Sequence, residues 1–203
     1  MMLNGPMNSI PFEPNKFNFP PERQFHSLKH FSEIDADYFQ KMLQLGAWNR
    51  ADIIKRMQKF GSKFDPGFAE NPIKILQYLN TRSDYLLDYR KKSRERIELK
   101  ILLKKSKAFT HIGWDTLARL DELGSGTKVQ TRTRNDFLIK YAKGSPVPTL
   151  EMNMIFELAE NDFQLITVFP GKYAPPFPDS AKQIKEEYIE CAQFWDRHIF
   201  LVE

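Results

Sequence analysis

Hydrophobic residues recur at every second position over residues 151–159, and Ile166 and Val168 repeat this alternation a few residues later. A period of two is typical of a strand that buries one of its faces. Residues 160–162, which separate the two runs, have the composition of a turn. The pattern therefore predicts two antiparallel strands joined by a tight connection.

The length of this turn decides which side chains face the core, because a shift of one residue reverses both faces of a strand. With a three-residue turn, Ile166 and Val168 lie on the same face as Met154. Thr167 then lies on the opposite, polar face beside Asn153. A two-residue turn would bury Thr167 instead. We expect the three-residue turn, and hence an open sheet face that carries Thr167 and Asn153.

Changes in composition and periodicity divide the chain into three parts. Residues 1–31 are rich in Pro and Phe, and their prolines favour an extended arm over a regular helix. Residues 32–90 show the three-to-four-residue spacing of helices and are expected to form a helical accessory region. One helix of this region is predicted at residues 72–80. Residues 91–203 contain the strand patterns and a further amphipathic helix, predicted at residues 180–198. The sequence thus predicts an α+β fold, with a helical N-terminal half followed by a four-stranded antiparallel meander sheet packed by helices.

A long helix is predicted from residue 83 to about residue 107, because apolar residues recur there at helical spacing. Its polar side would carry many basic residues. Lys92, Arg96 and Lys100 would form one line at intervals of four residues, and Lys104 would extend it. We expect this line to bind a polyanion. A solvated helix face without a ligand is the alternative.

The basic residues continue into the next predicted strand, residues 128–134. Lys128, Arg132 and Arg134 alternate onto one face of that strand. A further strand is predicted at residues 137–141. The short connections between these strands and the pair at 151–169 favour the meander.

Charge is distributed unevenly although the 203-residue chain carries a net charge of only +4. Residues 51–150 contain 21 Lys and Arg against 11 Asp and Glu, whereas residues 151–203 contain 4 against 10. A basic middle beside an acidic end suggests a surface for nucleic acid.

Cys191 is the single cysteine, so no internal disulfide is possible. Without a signal peptide or a long apolar run, we expect no membrane association. The expected compartment is the cytoplasm, or the cytoplasm of a target cell after delivery.

Few residues suggest specific chemistry. The chain lacks a P-loop, a dinucleotide-binding glycine motif and a zinc-protease motif. His26 and His30 are four residues apart, but two histidines without a third ligand are a weak indication of metal. His111 has the right pKa range for proton transfer, and arginine side chains suit phosphate. The alternatives are a packing role for His111 beside Trp114 and a solvated face for the arginines.

Three short motifs suggest a family. They are ITVFPG at 166–171, YAPPFP at 173–178 and FWDRHIFLVE at 194–203. With the preceding histidine and strands, they resemble the barnase–EndoU–colicin–RelE ribonuclease superfamily, and more narrowly the ribonuclease domains of bacterial polymorphic toxins. The resemblance covers roughly residues 95–203. It implies catalytic roles for His111, for Arg132 or Arg134, and for Thr167. An ordinary strand position is the alternative for Thr167, and we expect a structural role for His198 in the tail motif.

The function that this resemblance implies is a toxin-like endoribonuclease. It would cleave RNA by attack of the 2′-OH and leave a 2′,3′-cyclic phosphate, with no metal and no cofactor. The residues expected to bind RNA are Lys92, Arg96, Lys100, Lys104, Lys128 and Asn153. An acidic antitoxin or immunity protein is the implied partner, because such an enzyme must be restrained where it is made. The alternative is a non-catalytic module that binds protein or RNA on the same fold.

Overall fold

A computed structural model of the protein describes residues 18–81, 85–134, 136–159 and 162–202. These residues form five α-helices, two 3-10 helices and eleven strands. The α-helices are α1 (Pro21–Ser27), α2 (Ala36–Gln44), α3 (Arg50–Met57), α4 (Pro72–Thr81) and α5 (Lys185–Arg197), and the 3-10 helices are Leu28–His30 and Leu120–Glu122. The strands are β1 (Lys63–Phe64), β2 (Tyr85–Lys92), β3 (Arg96–Leu103), β4 (Gly113–Asp115), β5 (Leu117–Arg119), β6 (Val129–Arg134), β7 (Phe137–Lys143), β8 (Val147–Thr149), β9 (Glu151–Ala159), β10 (Asp162–Pro170) and β11 (His198–Val202).

The strands form three sheets in place of the predicted single meander. One four-stranded sheet has the order β10-β9-β3-β2, another has the order β5-β11-β7-β6, and a three-stranded sheet has the order β1-β4-β8. The predicted strands β6 and β7 therefore lie in a different sheet from β9 and β10. In the second sheet, β11 lies between β5 and β7 and runs parallel to β7. The meander prediction is wrong because these pairings join segments that are far apart in the sequence.

The predicted long helix over residues 83–107 is wrong. This region forms the antiparallel pair β2–β3. In β3, Ile97, Leu99 and Ile101 are buried on one face, and Lys100 on the opposite face is partly exposed. This alternation at every second residue is the period of a strand. Apolar residues at 97 and 101 also fit a helix, so the spacing was ambiguous. Because Lys92, Arg96 and Lys100 are distributed over two strands, they do not form the predicted helical line.

The strand pair predicted at 151–169 is present as β9 and β10. Asp162 pairs with Ala159, so two residues separate the strands where three were expected; residues 160 and 161 lie outside the described part of the chain. A β-bulge between Leu165 and Thr167 then shifts the register by one residue. Beyond the bulge, Val168 pairs with Met154, as predicted. The bulge thus restores the register that the shorter turn had changed.

The N-terminal half is less helical than predicted, since β1, β2 and β3 lie within the first 103 residues. Residues 21–30 form helix where an extended arm was expected, and residues 1–17 lie outside the described part. Pro21 begins α1 at a position where a helix tolerates the missing N–H. The predicted helices at 72–80 and 180–198 correspond to α4 and α5. No helix of the described residues is long and apolar enough to cross a membrane.

The largest core lies against one face of the β10-β9-β3-β2 sheet. It contains Leu99, Ile101, Met154, Phe156 and Val168, all nearly or fully buried. The helix α4 contributes to the same core through its buried apolar side. A smaller cluster holds the 3-10 helix Leu28–His30, α2 and α3 together. This smaller cluster fixes α3 beside the end of α1.

Candidate phosphate-binding site

Three of the six residues predicted to bind RNA are paired with groups of the protein itself. Lys100 Nζ lies 3.1 Å from Glu151 Oε2. The Arg96 guanidinium contacts Glu98 and Glu157, each at 2.7 Å. The Asn153 amide donates to the carbonyl oxygen of Gly171 at 2.7 Å. Lys104 and Lys128 are exposed just outside β3 and β6, while the side chain of Lys92 lies outside the described part.

The sheet face expected to be open is largely covered. Asn153 and Thr167 are buried, and among the described residues the Thr167 hydroxyl has no hydrogen-bond partner. Tyr173, which follows β10, lies over this face and its hydroxyl donates to Glu98 at 3.2 Å. A cleft of about 390 Å³ remains, lined by Asp88, Arg90, Lys100, Leu117, Glu151, Asn153, Lys172, Tyr173, Phe194 and His198. Its carboxylates and cations largely balance one another, which gives a phosphate little net attraction.

His111 lies in the loop before β4. Its Nε2 is 2.9 Å from Asp65 Oδ2, and its ring centroid is 4.5 Å from that of Trp114. Within the described residues, the contacts of His111 do not include Arg132, Arg134 or Thr167. The catalytic role of His111 stays a prediction, and so does that of Thr167.

Arg132 and Arg134 lie on β6, an edge strand that is exposed along its whole length. The Arg134 guanidinium is stacked 4.6 Å from the ring centroid of Phe177. Both arginines are close to Tyr141 on β7, where their charges oppose the rise in the pKa of Tyr141 that burial causes. The predicted pair of arginines is therefore accessible, and aromatic rings surround it.

Arg134 also approaches the N-terminal helices. His26 in α1 and Lys29 in the following 3-10 helix are three residues apart, and their Nε2 and Nζ atoms are 3.1 Å apart. Since an ammonium group can only donate, Lys29 donates and His26 accepts. Arg56, near the end of α3, lies 4.8 Å from the ring centroid of Phe25, the residue before His26. We call His26, Lys29, Arg56 and Arg134 the cation cluster.

Burial and the charges of neighbouring cations lower the pKa values of His26 and Lys29. Burial and the neighbouring charges of Lys29, Arg56, Arg23 and Arg134 lower the pKa of His26 to about 3. Burial and the charges of Arg56 and Arg134 lower the pKa of Lys29 to about 8. No carboxylate of the described residues counteracts the lowering at Lys29. Within the described part of the chain, the cluster is thus a partly buried concentration of positive charge with no carboxylate acting on Lys29.

Such a cluster is unfavourable by itself and becomes favourable when an anion occupies it. Guanidinium groups match the oxygens of a phosphate in pairs, and an ammonium group adds a compact charge. Strongly shifted pKa values are concentrated at functional sites for this reason. The chemistry of the cation cluster therefore suits a phosphate group.

Sequence reasoning identified Arg132 and Arg134 but not their partners at the other end of the chain. His26 was considered, together with His30, as a weak candidate for a metal ligand against a surface or packing role. The His30 side chain instead lies 3.0 Å from the carbonyl oxygen of Ser62 and packs near Phe169. A signal was present in the sequence: two prolines and Glu22 precede His26 and Lys29, which is a typical helix start. A helix there places both side chains on one side, three residues apart.

Comparisons of the chain with protein-family models, with curated proteins and with solved structures find no match. The resemblance to ribonucleases rests on the three motifs, which have clear structural roles here. Gly171, at the end of ITVFPG, adopts a positive φ of 90°. The Trp195 indole N–H lies 3.2 Å from the carbonyl oxygens of Pro175 and Pro176, and so ties the second motif to the third.

Proposed function

We propose that the protein is a metal-independent endoribonuclease whose cation cluster binds the phosphodiester that is cleaved. The observation that supports this proposal is the convergence of His26, Lys29, Arg56 and Arg134 without an opposing carboxylate at Lys29. Arg134 was predicted as a catalytic residue from the sequence, and the cluster adds a histidine to it. The combination of cations and one histidine matches the needs of RNA cleavage without metal.

In this proposal Arg56, Arg134 and Lys29 bind the non-bridging phosphate oxygens. These oxygens gain negative charge as the 2′-oxygen attacks the phosphorus atom. Cations that are already in place stabilise that charge without rearranging at the moment of reaction. The destabilisation that they cause in the free protein is relieved when RNA binds.

His26 is the proposed general base. Its low pKa keeps the ring neutral, and its Nε2 has a lone pair that accepts a hydrogen bond from Lys29. When Lys29 turns to a phosphate oxygen, this lone pair is released for the 2′-OH. The phosphate charge also raises the pKa of His26 towards its ordinary value, which makes it a stronger base.

The 2′-OH proton moves to His26 while the 2′-oxygen forms a bond to phosphorus. The bond from phosphorus to the 5′-oxygen breaks, and that oxygen takes a proton from solvent. The products are a 2′,3′-cyclic phosphate and a 5′-OH end. An acidic antitoxin or immunity protein that covers the cluster would inhibit the reaction by taking the place of the phosphate.

The test is cleavage of a labelled single-stranded RNA in the presence of EDTA, with analysis of the product ends. We expect 2′,3′-cyclic phosphate ends from the wild type. His26→Gln and Arg134→Gln should each lower the rate by a factor of about 10² or more. Arg197→Gln, an exposed arginine on α5, is the matched control and should cleave normally. Absence of cleavage, or equal rates for all variants, would contradict the proposal.

A second candidate function is RNA binding without cleavage. It is favoured by the hydrogen bond that occupies His26 Nε2 in the free protein. In that case the wild type binds RNA and leaves it intact, and His26→Gln retains the affinity while Arg134→Gln weakens it. The same set of variants therefore separates the two functions.

A further inference from the structure

A cavity of about 450 Å³ opens at the end of α3, the helix that carries Arg56. Its lining includes Met57, Gln58, Phe60 and Lys63. Met57 directly follows Arg56, so one wall of the cavity continues from the cluster. A volume of this size accommodates a ligand as large as a nucleoside.

Lys63 joins the cavity to the cluster. Its ammonium group donates to the carbonyl oxygens of Lys29 and Met57, both at 2.6 Å. These two bonds tie the 3-10 helix that carries Lys29 to the end of α3. Lys63 therefore connects the cavity with the segments that carry Lys29 and Arg56.

Phe60 is the exposed aromatic residue of this cavity, with 47% of its surface accessible. Its ring meets the Tyr141 ring edge-on, with a centroid distance of 4.9 Å. Tyr141 in turn lies close to Arg132 and Arg134. Phe60 thus stands between the helical side of the cluster and the arginine strand, and the remainder of its ring is open to a ligand.

We propose that this cavity, the base pocket, receives the nucleobase adjoining the phosphate in the cation cluster, with the base stacked on Phe60 and its edge contacted by the Gln58 amide. The inference rests on the proposed function, since it requires a phosphate in the cluster. Stacking on an aromatic ring and hydrogen bonds to a base edge are the usual means of recognising single-stranded RNA. A base within a duplex is already stacked, so the pocket selects unpaired nucleotides.

The experiment compares inorganic phosphate with the four nucleoside 3′-monophosphates by calorimetric titration of the full chain. We expect at least one nucleotide to bind about 5- to 150-fold more tightly than phosphate, the gain that one stacked base provides. Phe60→Leu should remove most of this gain and leave the phosphate affinity unchanged. Tyr89→Leu on β2, an aromatic of similar exposure, is the control and should behave as wild type.

Equal binding of phosphate and all four nucleotides by the wild type would overturn the base pocket. So would a nucleotide preference that Phe60→Leu leaves intact. If thermal unfolding shows that Phe60→Leu is not folded, Gln58→Ala is tested in its place. Gln58→Ala should reduce the differences in affinity among the four nucleotides, and unchanged differences would refute the base pocket. The proposed function itself is refuted by another outcome. In that outcome the wild type does not bind phosphate, or Lys29→Met binds phosphate as tightly as the wild type.

Discussion

Replacing Lys29 with Met should make the fold more stable while it abolishes phosphate binding. Methionine keeps most of the apolar stem of lysine and removes a charge that burial and the neighbouring Arg56 and Arg134 disfavour. Most substitutions of partly buried residues destabilise a protein, so a gain in stability is a specific expectation. It follows from a site that is arranged for binding an anion and not for the stability of the free fold.

The magnitude follows from the pKa of Lys29, which falls from 10.5 to about 8 in the folded protein. At about 1.36 kcal/mol for each pKa unit, the charged lysine costs the fold about 3 kcal/mol at pH 7. The variant loses the hydrogen bond to His26, which contributes about 1 kcal/mol. We therefore expect Lys29→Met to increase the free energy of unfolding by about 2 kcal/mol at pH 7.

The effect has a defined pH dependence. The folded-state pKa of Lys29 lies below that of the unfolded chain, so the unfolded chain binds this proton more tightly. The stability that the wild type lacks at pH 7 is therefore regained as the pH rises from about 8 to 10.5. Near pH 10.5 the gain from Lys29→Met should have disappeared.

Urea unfolding at pH 7 and at pH 10.5, in buffers free of phosphate and sulfate, measures both effects. Lys41→Met on α2, an exposed lysine, is the matched control and should change stability by less than about 0.5 kcal/mol. Phosphate at ten times its dissociation constant should stabilise the wild type by about 1.4 kcal/mol and leave Lys29→Met unchanged. A variant that is less stable than wild type at pH 7, or equally shifted at both pH values, refutes the reasoning.

Three further predictions concern His26, Arg134 and Gly171. When urea unfolding is repeated at pH 4, His26→Gln should retain more of its stability than the wild type. The reason is that the wild type loses on the order of 4 kcal/mol at His26 as the pH falls from 6.5 towards 3. Equal losses of stability would contradict the low pKa of His26. Arg134→Gln should reduce the slope of log affinity against log salt concentration for single-stranded RNA by about one unit in fluorescence anisotropy, whereas Arg197→Gln should not, and an unchanged slope would exclude a phosphate contact at Arg134. In thermal unfolding, Gly171→Ala should destabilise the fold by more than Gly126→Ala. Both glycines have a φ near 90°, but a Cβ at Gly171 would lie 2.7 Å from Asp115 Cβ, whereas a Cβ at Gly126 would meet no atom within 4 Å. Equal losses at the two glycines would show that the contact with Asp115 is unimportant.

The elements that sequence reasoning predicted correctly are those with a local cause. β9 and β10 were identified from period-two alternation within single runs of residues, and α4 begins at Pro72, a residue suited to the first turn of a helix. Arg132 and Arg134 were placed on one face of a strand by the same alternation. In each case the side chains that specify the element lie within a few residues of one another.

The errors arose where two periods fit the same residues. The hydrophobic residues of 85–103 satisfy helical spacing and strand spacing, and only the pairing of β3 with β9 decides between them. The turn before β10 is similar: alternation predicted the pairing of Val168 with Met154, but not the bulge at Ile166 that produces it. A bulge leaves no signature in the alternation that can be separated from a longer turn.

By itself, the sequence determined the basic middle of the chain, the main strands of its second half and a helix near the C-terminus. Only the tertiary structure decided which basic residues meet. His26, Lys29, Arg56 and Arg134 come from α1, a 3-10 helix, α3 and an edge strand, and they span more than half of the chain. Their proximity depends on the packing of α3 against the N-terminal helices and on the position of β6 beside them. Charge repulsion acts through space and not along the chain, so no local pattern could have revealed that Arg56 and Arg134 join His26 and Lys29.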